Sequence, residues 1–141
     1  RDRQFVQRLG LLFSRHDVNP NQVAIELTEQ ATASQTSRHL VVAHRKFGIK
    51  IVLDDFGNGW SNYQSAARLA PHLYAIKIDG ELVASMADPY VAGAIKSIIN
   101  LAIEWHILCV AEWVETSNQS RILQSWGVTG LQGWGVRRAG E

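Results

Sequence analysis

The stretch Ile49-Lys50-Ile51-Val52-Leu53-Asp54-Asp55-Phe56-Gly57-Asn58-Gly59-Trp60-Ser61 is the part of the chain whose reading decides the fold. Its first five residues are rich in β-branched side chains and predict a strand. Two adjacent aspartates stand at the strand's C-terminal end, and a glycine-containing loop follows. Directly upstream, Ser34 to Phe47 has helical periodicity, and Gly48 sits where a helix C-cap favours the left-handed conformation. A helix feeding a short apolar strand that ends in acidic residues is half of a βαβ unit.

The same unit recurs in both directions. Upstream, Val23 to Leu27 reads as a strand. Before it, residues 3–15 place Phe5, Val6, Leu9, Leu12 and Phe13 on one helical face, closed by Asn19-Pro20-Asn21. Downstream come a short helix from about Ser61 to Leu69, a strand from Leu73 to Ile78, and a helix opened by Asp88-Pro89 that runs to Trp105. A strand at Ile107 to Ala111, a helix at Ser117 to Trp126 and a last strand at Val128 to Gln132 complete the pattern. Proline at the first helical position is favourable because its missing N–H would have no partner there. Alternation at this spacing implies parallel strands joined by crossover helices. No linker or low-complexity run interrupts it, so residues 1–141 read as a single α/β domain of about five strands.

Composition narrows the function. An apolar share of 46% and a charged share of 19% are those of a globular chain with a sizeable core. A net charge of +1 with scattered arginine argues against a nucleic-acid polymer as partner. Lys96 and Glu104 interrupt the longest apolar stretch, which leaves no membrane-spanning candidate. Cys109 stands alone in an apolar run and reads as a buried, inert thiol. With no possible intrachain disulfide and no signal peptide, the cytoplasm is the expected compartment. The absence of an initiator methionine before Arg1 leads to the expectation that the chain is a fragment of something longer.

Each predicted strand ends in ionisable or amide groups. The first delivers Glu26, Thr28 and Glu29, the second Asp54 and Asp55, the third Lys77 and Asp79, the fourth Glu112 and Glu115, and the fifth Gln132. In a parallel barrel these ends gather on one face, where active sites of that architecture lie. Converging carboxylates without cysteine or histidine suit a hard, oxygen-loving cation, Mg²⁺ or Mn²⁺. Carboxylates around a pair of such cations, with a lysine beside them, are a recurrent arrangement for phosphodiester hydrolysis. The histidines, at 16, 39, 44, 72 and 106, fall outside these strand ends.

Five motifs in order carry a family resemblance. They are Ile25-Glu26-Leu27-Thr28-Glu29, the Asp54-Asp55-Phe56-Gly57 segment, Ile76-Lys77-Ile78-Asp79, Ala111-Glu112-Trp113-Val114-Glu115-Thr116 and Leu131-Gln132-Gly133-Trp134. Together they resemble the later part of an EAL-type cyclic-di-GMP phosphodiesterase domain. That resemblance implies a partial TIM-like (β/α) barrel whose N-terminal strands are missing here, and hydrolysis of cyclic di-GMP to the linear dinucleotide. It implies metal ligation by Glu26, Asp54 and Asp55, with Asp54 bridging two ions. It assigns Lys77 to the attacking water, Glu112 and Glu115 to the catalytic set, and Gln132, Glu29 and Asp79 to supporting or substrate-binding roles. Trp113 stands where the family usually has glycine, and is expected to perturb the site or to touch substrate. The opening Glu-x-Leu strand and the asparagine motif of the family are absent, so the chain alone is expected to bind metal weakly, to be inactive, and to cover its open sheet as a homodimer. The alternative is a non-catalytic cyclic-di-GMP-binding or protein-interaction module. A receiver domain, whose acidic pocket the pair Asp54-Asp55 resembles, is rejected because Lys77 follows the pair too soon.

Overall fold

The computed structural model describes residues 2–57 and 63–136. Asn58, Gly59, Trp60 and Ser61 of the loop motif, and the segment from Arg137 on, lie outside the described residues. The described residues form a five-stranded sheet in the order β1-β2-β3-β4-β5, so neighbours in sequence are neighbours in space. This is the order expected of consecutive (β/α) units. The strands are β1 (Ala24–Thr28), β2 (Lys50–Phe56), β3 (Leu73–Ile78), β4 (Leu108–Ala111) and β5 (Gly130–Leu131). The helices between and before them are α1 (Asp2–Arg15), α2 (Gln35–Phe47), α3 (Tyr63–Leu69), α4 (Gly80–Ala84), α5 (Pro89–Glu104) and α6 (Ser117–Trp126). The chain divides into two compact units, Arg1–Leu53 with Asn62–Tyr74, and Asp54–Ser61 with Ala75–Glu141.

In the first unit α1 packs on α2. Phe13 meets Phe47 edge-on at 5.7 Å, and Phe5 stacks on His39 at 5.9 Å. The face expected for α1 is only partly used: Val6 is buried, but Leu12 is exposed, as is Leu11. Gly48 ends α2 in the left-handed conformation at φ 75°, as its position in the sequence predicts. The following strand starts one residue late, at Lys50, and runs on to Phe56. Both aspartates therefore lie within β2 rather than after it. Asp55 takes a positive φ of 53°, a conformation Asp tolerates better than most residues.

The second unit is built on β3, β4 and β5, which pair in parallel. Its core includes Ile76, Ile78, Ile95, Ile99, Ala111, Val114 and Leu123, all nearly inaccessible to water. Cys109 belongs to this core, and burial pushes its thiol pKa up to about 12, which agrees with an inert thiol. The last strand is shorter than the predicted Val128 to Gln132, for a physical reason. The Thr129 hydroxyl accepts a hydrogen bond from the Cys109 N–H at 2.7 Å and donates to the Cys109 carbonyl at 2.9 Å. A side chain thus stands in for part of the ladder, and regular pairing begins only at Gly130. Helix α4 has no counterpart in the sequence reading. Its five residues are too few to display a helical period.

Candidate metal and catalytic site

The register of β3 and β4 sets the lysine and one carboxylate of the site. Lys77 pairs with Val110 across β3 and β4. Strand residues two apart share a face, so Glu112, two beyond Val110, emerges on the side of Lys77. The Glu112 N–H also donates to the Ile78 carbonyl at 3.3 Å, which fixes its backbone one step past the ladder. The result is a short ion pair, Lys77 Nζ to Glu112 Oε1 at 2.7 Å, with Asp54 Oδ1 on the same ammonium at 3.3 Å. All three side chains are largely shielded, with side-chain exposures of 9%, 13% and 19% for Lys77, Glu112 and Asp54. Opposite charges attract strongly in such surroundings, so the lysine is held in place.

Asp55 completes the group. Carboxylate oxygens of Asp54, Asp55 and Glu112 lie within 4.8 Å of one another. Burial pushes the Glu112 carboxyl above its usual range, and the charges of Asp54 and Asp55 push the same way, while the hydrogen bond and charge of Lys77 oppose them. Asp54 Oδ1 is sealed from solvent, yet among the described residues it accepts no well-aligned hydrogen bond; Lys77 supplies charge from 3.3 Å rather than a directed donor. A buried acceptor oxygen without an aligned donor, among carboxylates that repel each other, fits a hard divalent cation.

The other predicted residues fall differently. Asp79 is buried beside the cluster in sequence but works as the N-cap of α4, its carboxylate accepting from the Glu81 N–H at 2.9 Å. Glu115 is exposed, and its N–H donates to Gln119 Oε1 at 2.9 Å as α6 begins. Gln132 is exposed, and its backbone holds the end of β5: its N–H donates to the Ala111 carbonyl at 2.9 Å, and its carbonyl accepts from the Val114 N–H at 3.0 Å. In the first unit Glu26 is exposed on β1, and Glu29 is buried in the turn that follows it. Trp113 follows Glu112 with a positive φ of 52° and is 59% exposed. The sequence reading missed Gly80, whose Cα sits directly against the Trp113 ring. A glycine straight after the Lys77-x-Asp79 motif was the available signal.

Carboxylates and a lysine gathered at the C-terminal ends of parallel strands occupy the place where α/β barrels carry their sites. The particular family follows from comparison: the family model for the EAL domain matches residues 1–139, and the chain belongs to that family. Among curated relatives, the probable cyclic di-GMP phosphodiesterase PdeA of Escherichia coli K12 is 37% identical over 134 residues, covering 93% of this chain and 18% of that protein. The chain therefore spans less than a fifth of that relative's length. Among solved structures, the PaMucR phosphodiesterase in its c-di-GMP complex superposes with a TM-score of 0.83 at 29% identity, covering 94% of this chain and 54% of that one. The manganese and cy-diGMP complex of Klebsiella pneumoniae BlrP1 superposes with a TM-score of 0.80 at 30% identity, covering 92% and 34%. No helix of the described residues is long and apolar enough to cross a membrane.

Proposed function

We propose that Asp54, Asp55, Lys77 and Glu112 are part of the active centre of a divalent-metal-dependent cyclic-di-GMP phosphodiesterase. The observation that carries this reading is Lys77 Nζ set between Glu112 Oε1 and Asp54 Oδ1, with the Asp55 carboxylate alongside. The names of the relatives support the substrate. Asp54 and Asp55 would hold the metal, either Mg²⁺ or Mn²⁺. Bound there, the metal would polarise a phosphoryl oxygen and lower the pKa of a coordinated water.

The chain's own residues do the rest. In the hydrolysis, a water oxygen forms the new bond to phosphorus, and a ribose oxygen leaves and takes up a proton. Lys77 has donors to orient that water and to balance negative charge gathering on the phosphate. Glu112 keeps the lysine aimed and offers an oxygen to the water's hydrogen. Glu115, Gln132 and Glu29 are supporting positions by family resemblance, and Asp79 braces the turn that follows β3.

The test is calorimetry with Mn²⁺ and then with cyclic di-GMP. Metal binding that disappears in Asp54→Ala, and nucleotide binding that requires metal, are the expected results. Nucleotide binding indifferent to both metal and Asp54 would refute the site. We also propose that the chain self-associates as a homodimer. Among the described residues, strands β1 and β5 each have one sheet neighbour, and α1 exposes Leu11 and Leu12, features that association covers. A sedimentation coefficient that stays monomeric at every concentration would remove this proposal.

A further inference from the structure

We propose that Trp113 is a nucleobase-stacking residue beside the metal-binding carboxylates, and that a guanine of the substrate lies against its indole. This rests on the cyclic-di-GMP reading above. Trp113 directly follows Glu112, the residue that grips Lys77 at 2.7 Å. Its φ of 52° lies in the left-handed region, which glycine enters freely and a bulky side chain rarely occupies. The backbone on either side is pinned. The Glu112 N–H donates to Ile78, the Val114 N–H to the Gln132 carbonyl at 3.0 Å, and the Gly135 N–H to the Val114 carbonyl at 2.7 Å. The conformation is thus imposed, and it aims the side chain in a definite direction.

That direction is across Gly80. Ring atoms Cγ, Cδ2 and Cε2 of Trp113 stand where a β-carbon of residue 80 would be, so only glycine admits the indole there. Gly80 in turn opens α4, and the buried Asp79 carboxylate holds that turn through the Glu81 N–H. The ring is therefore seated against a fixed backbone, while the residue remains 59% exposed. Packing alone does not explain this arrangement, because a tryptophan recruited for packing hides most of its surface. Trp134, 92% exposed on the loop after β5, makes the contrast. A planar aromatic surface backed by rigid structure and open to solvent is what a base stacks on in single-strand binders.

The experiment titrates cyclic di-GMP into the Mn²⁺-loaded chain and into three variants, with Mn²⁺ affinity and thermal unfolding measured on each. Trp113→Gly removes both the ring and the left-handed strain, so the variant is expected to fold. Its nucleotide Kd is expected to rise about ten-fold, the size of one base–aromatic stack. Trp113→Phe keeps a stacking face and is expected to stay within about three-fold of wild type, while Trp134→Ala is expected to be unchanged. Nucleotide-dependent quenching of tryptophan fluorescence is expected to fall in Trp113→Phe. If Trp113→Gly binds nucleotide as tightly as wild type, the stacking role is overturned and the metal-dependent site stands. If wild type takes up Mn²⁺ through Asp54 but no cyclic di-GMP, the substrate reading fails and the stacking role fails with it.

Discussion

Glu112 and Glu115 lie three residues apart after the same strand, yet they belong to regions built in opposite ways. Around Glu112 the sheet positions side chains: register puts Lys77 opposite Val110, and the carboxylates of Glu112 and Asp54 converge on its ammonium. Around Glu115 the backbone is positioned and the glutamate itself is left exposed. Val114 and Gln132 exchange a main-chain hydrogen bond, and Thr116 and Gln119 close a capping box that starts α6. Gly133 and Gly135 lie so close to the 114–116 backbone that neither has room for a β-carbon. The first region brings charged side chains together and the second fixes main chain. Motif matching alone treats the two glutamates alike.

The largest expected effect strikes the first region. In a protein of the relatives' length that carries these residues, Lys77→Ala is expected to lower kcat for cyclic-di-GMP hydrolysis by about 10²–10³-fold, the usual loss on removing one charge-stabilising donor. The Kd for Mn²⁺ is expected to change little, because Lys77 is not a ligand. Steady-state kinetics beside calorimetry checks the pair of values. Full activity in the alanine variant would erase the distinction between the two regions.

The second region is expected to respond in stability. Gly133 has φ 150°, and a β-carbon there would run into the backbone of Val114. Gly133→Ala is expected to cost about 2 kcal/mol or more, since alanine is both strained at positive φ and in collision. Thermal unfolding followed by circular dichroism reads this as a Tm lowered by several degrees. An unchanged Tm would mean that the loop after β5 does not brace residues 114–116. Thr116→Ala is a finer probe of the same region. Its hydroxyl accepts from the Gln119 N–H at 3.1 Å, and losing an N-cap of this kind costs about 1 kcal/mol.

These regions were not equally legible in the sequence. The strand from Leu73 to Ile78 is legible to the residue, because Tyr74, Ile76 and Ile78, at period two, follow a break at Pro71. Convergence at Lys77 followed from carboxylates at successive strand ends, a pattern that needs only parallel topology to become a cluster. What stayed hidden depends on contacts distant in sequence. The Thr129 hydroxyl, in place of a backbone carbonyl, takes the Cys109 N–H where β5 would begin, and Leu12 lies on the predicted apolar face of α1 yet stays exposed. Helix α4 escaped notice because its signal is a single cap, Asp79, already assigned to the site by its motif. The capping role of Asp79 and its membership of the Lys77-x-Asp79 motif are compatible, since the cap fixes Gly80 under Trp113.

The smallest expected effect is the sharpest check on the comparison. Family resemblance places Glu115 with Glu112 in the catalytic set, and the two glutamates have different surroundings in the fold. Its carboxylate is not among the three whose oxygens lie within 4.8 Å of one another, and the residue is exposed where its N–H meets Gln119. Glu115→Gln preserves that backbone contact and the shape of the side chain while removing the charge. An exposed substitution of this kind shifts stability by no more than about 0.5 kcal/mol. The Kd for Mn²⁺ is expected to stay within about two-fold of wild type, since in water a charge outside the cluster is heavily screened. Glu112→Gln, measured in parallel, removes a carboxylate that touches Lys77 and belongs to the cluster, and is expected to weaken Mn²⁺ binding clearly. If the two variants weaken metal binding equally, Glu115 reaches the cluster in solution and the division between the two regions does not hold. If only Glu112→Gln does so, two glutamates of one motif have been separated by which of them the β3–β4 register turns toward Lys77.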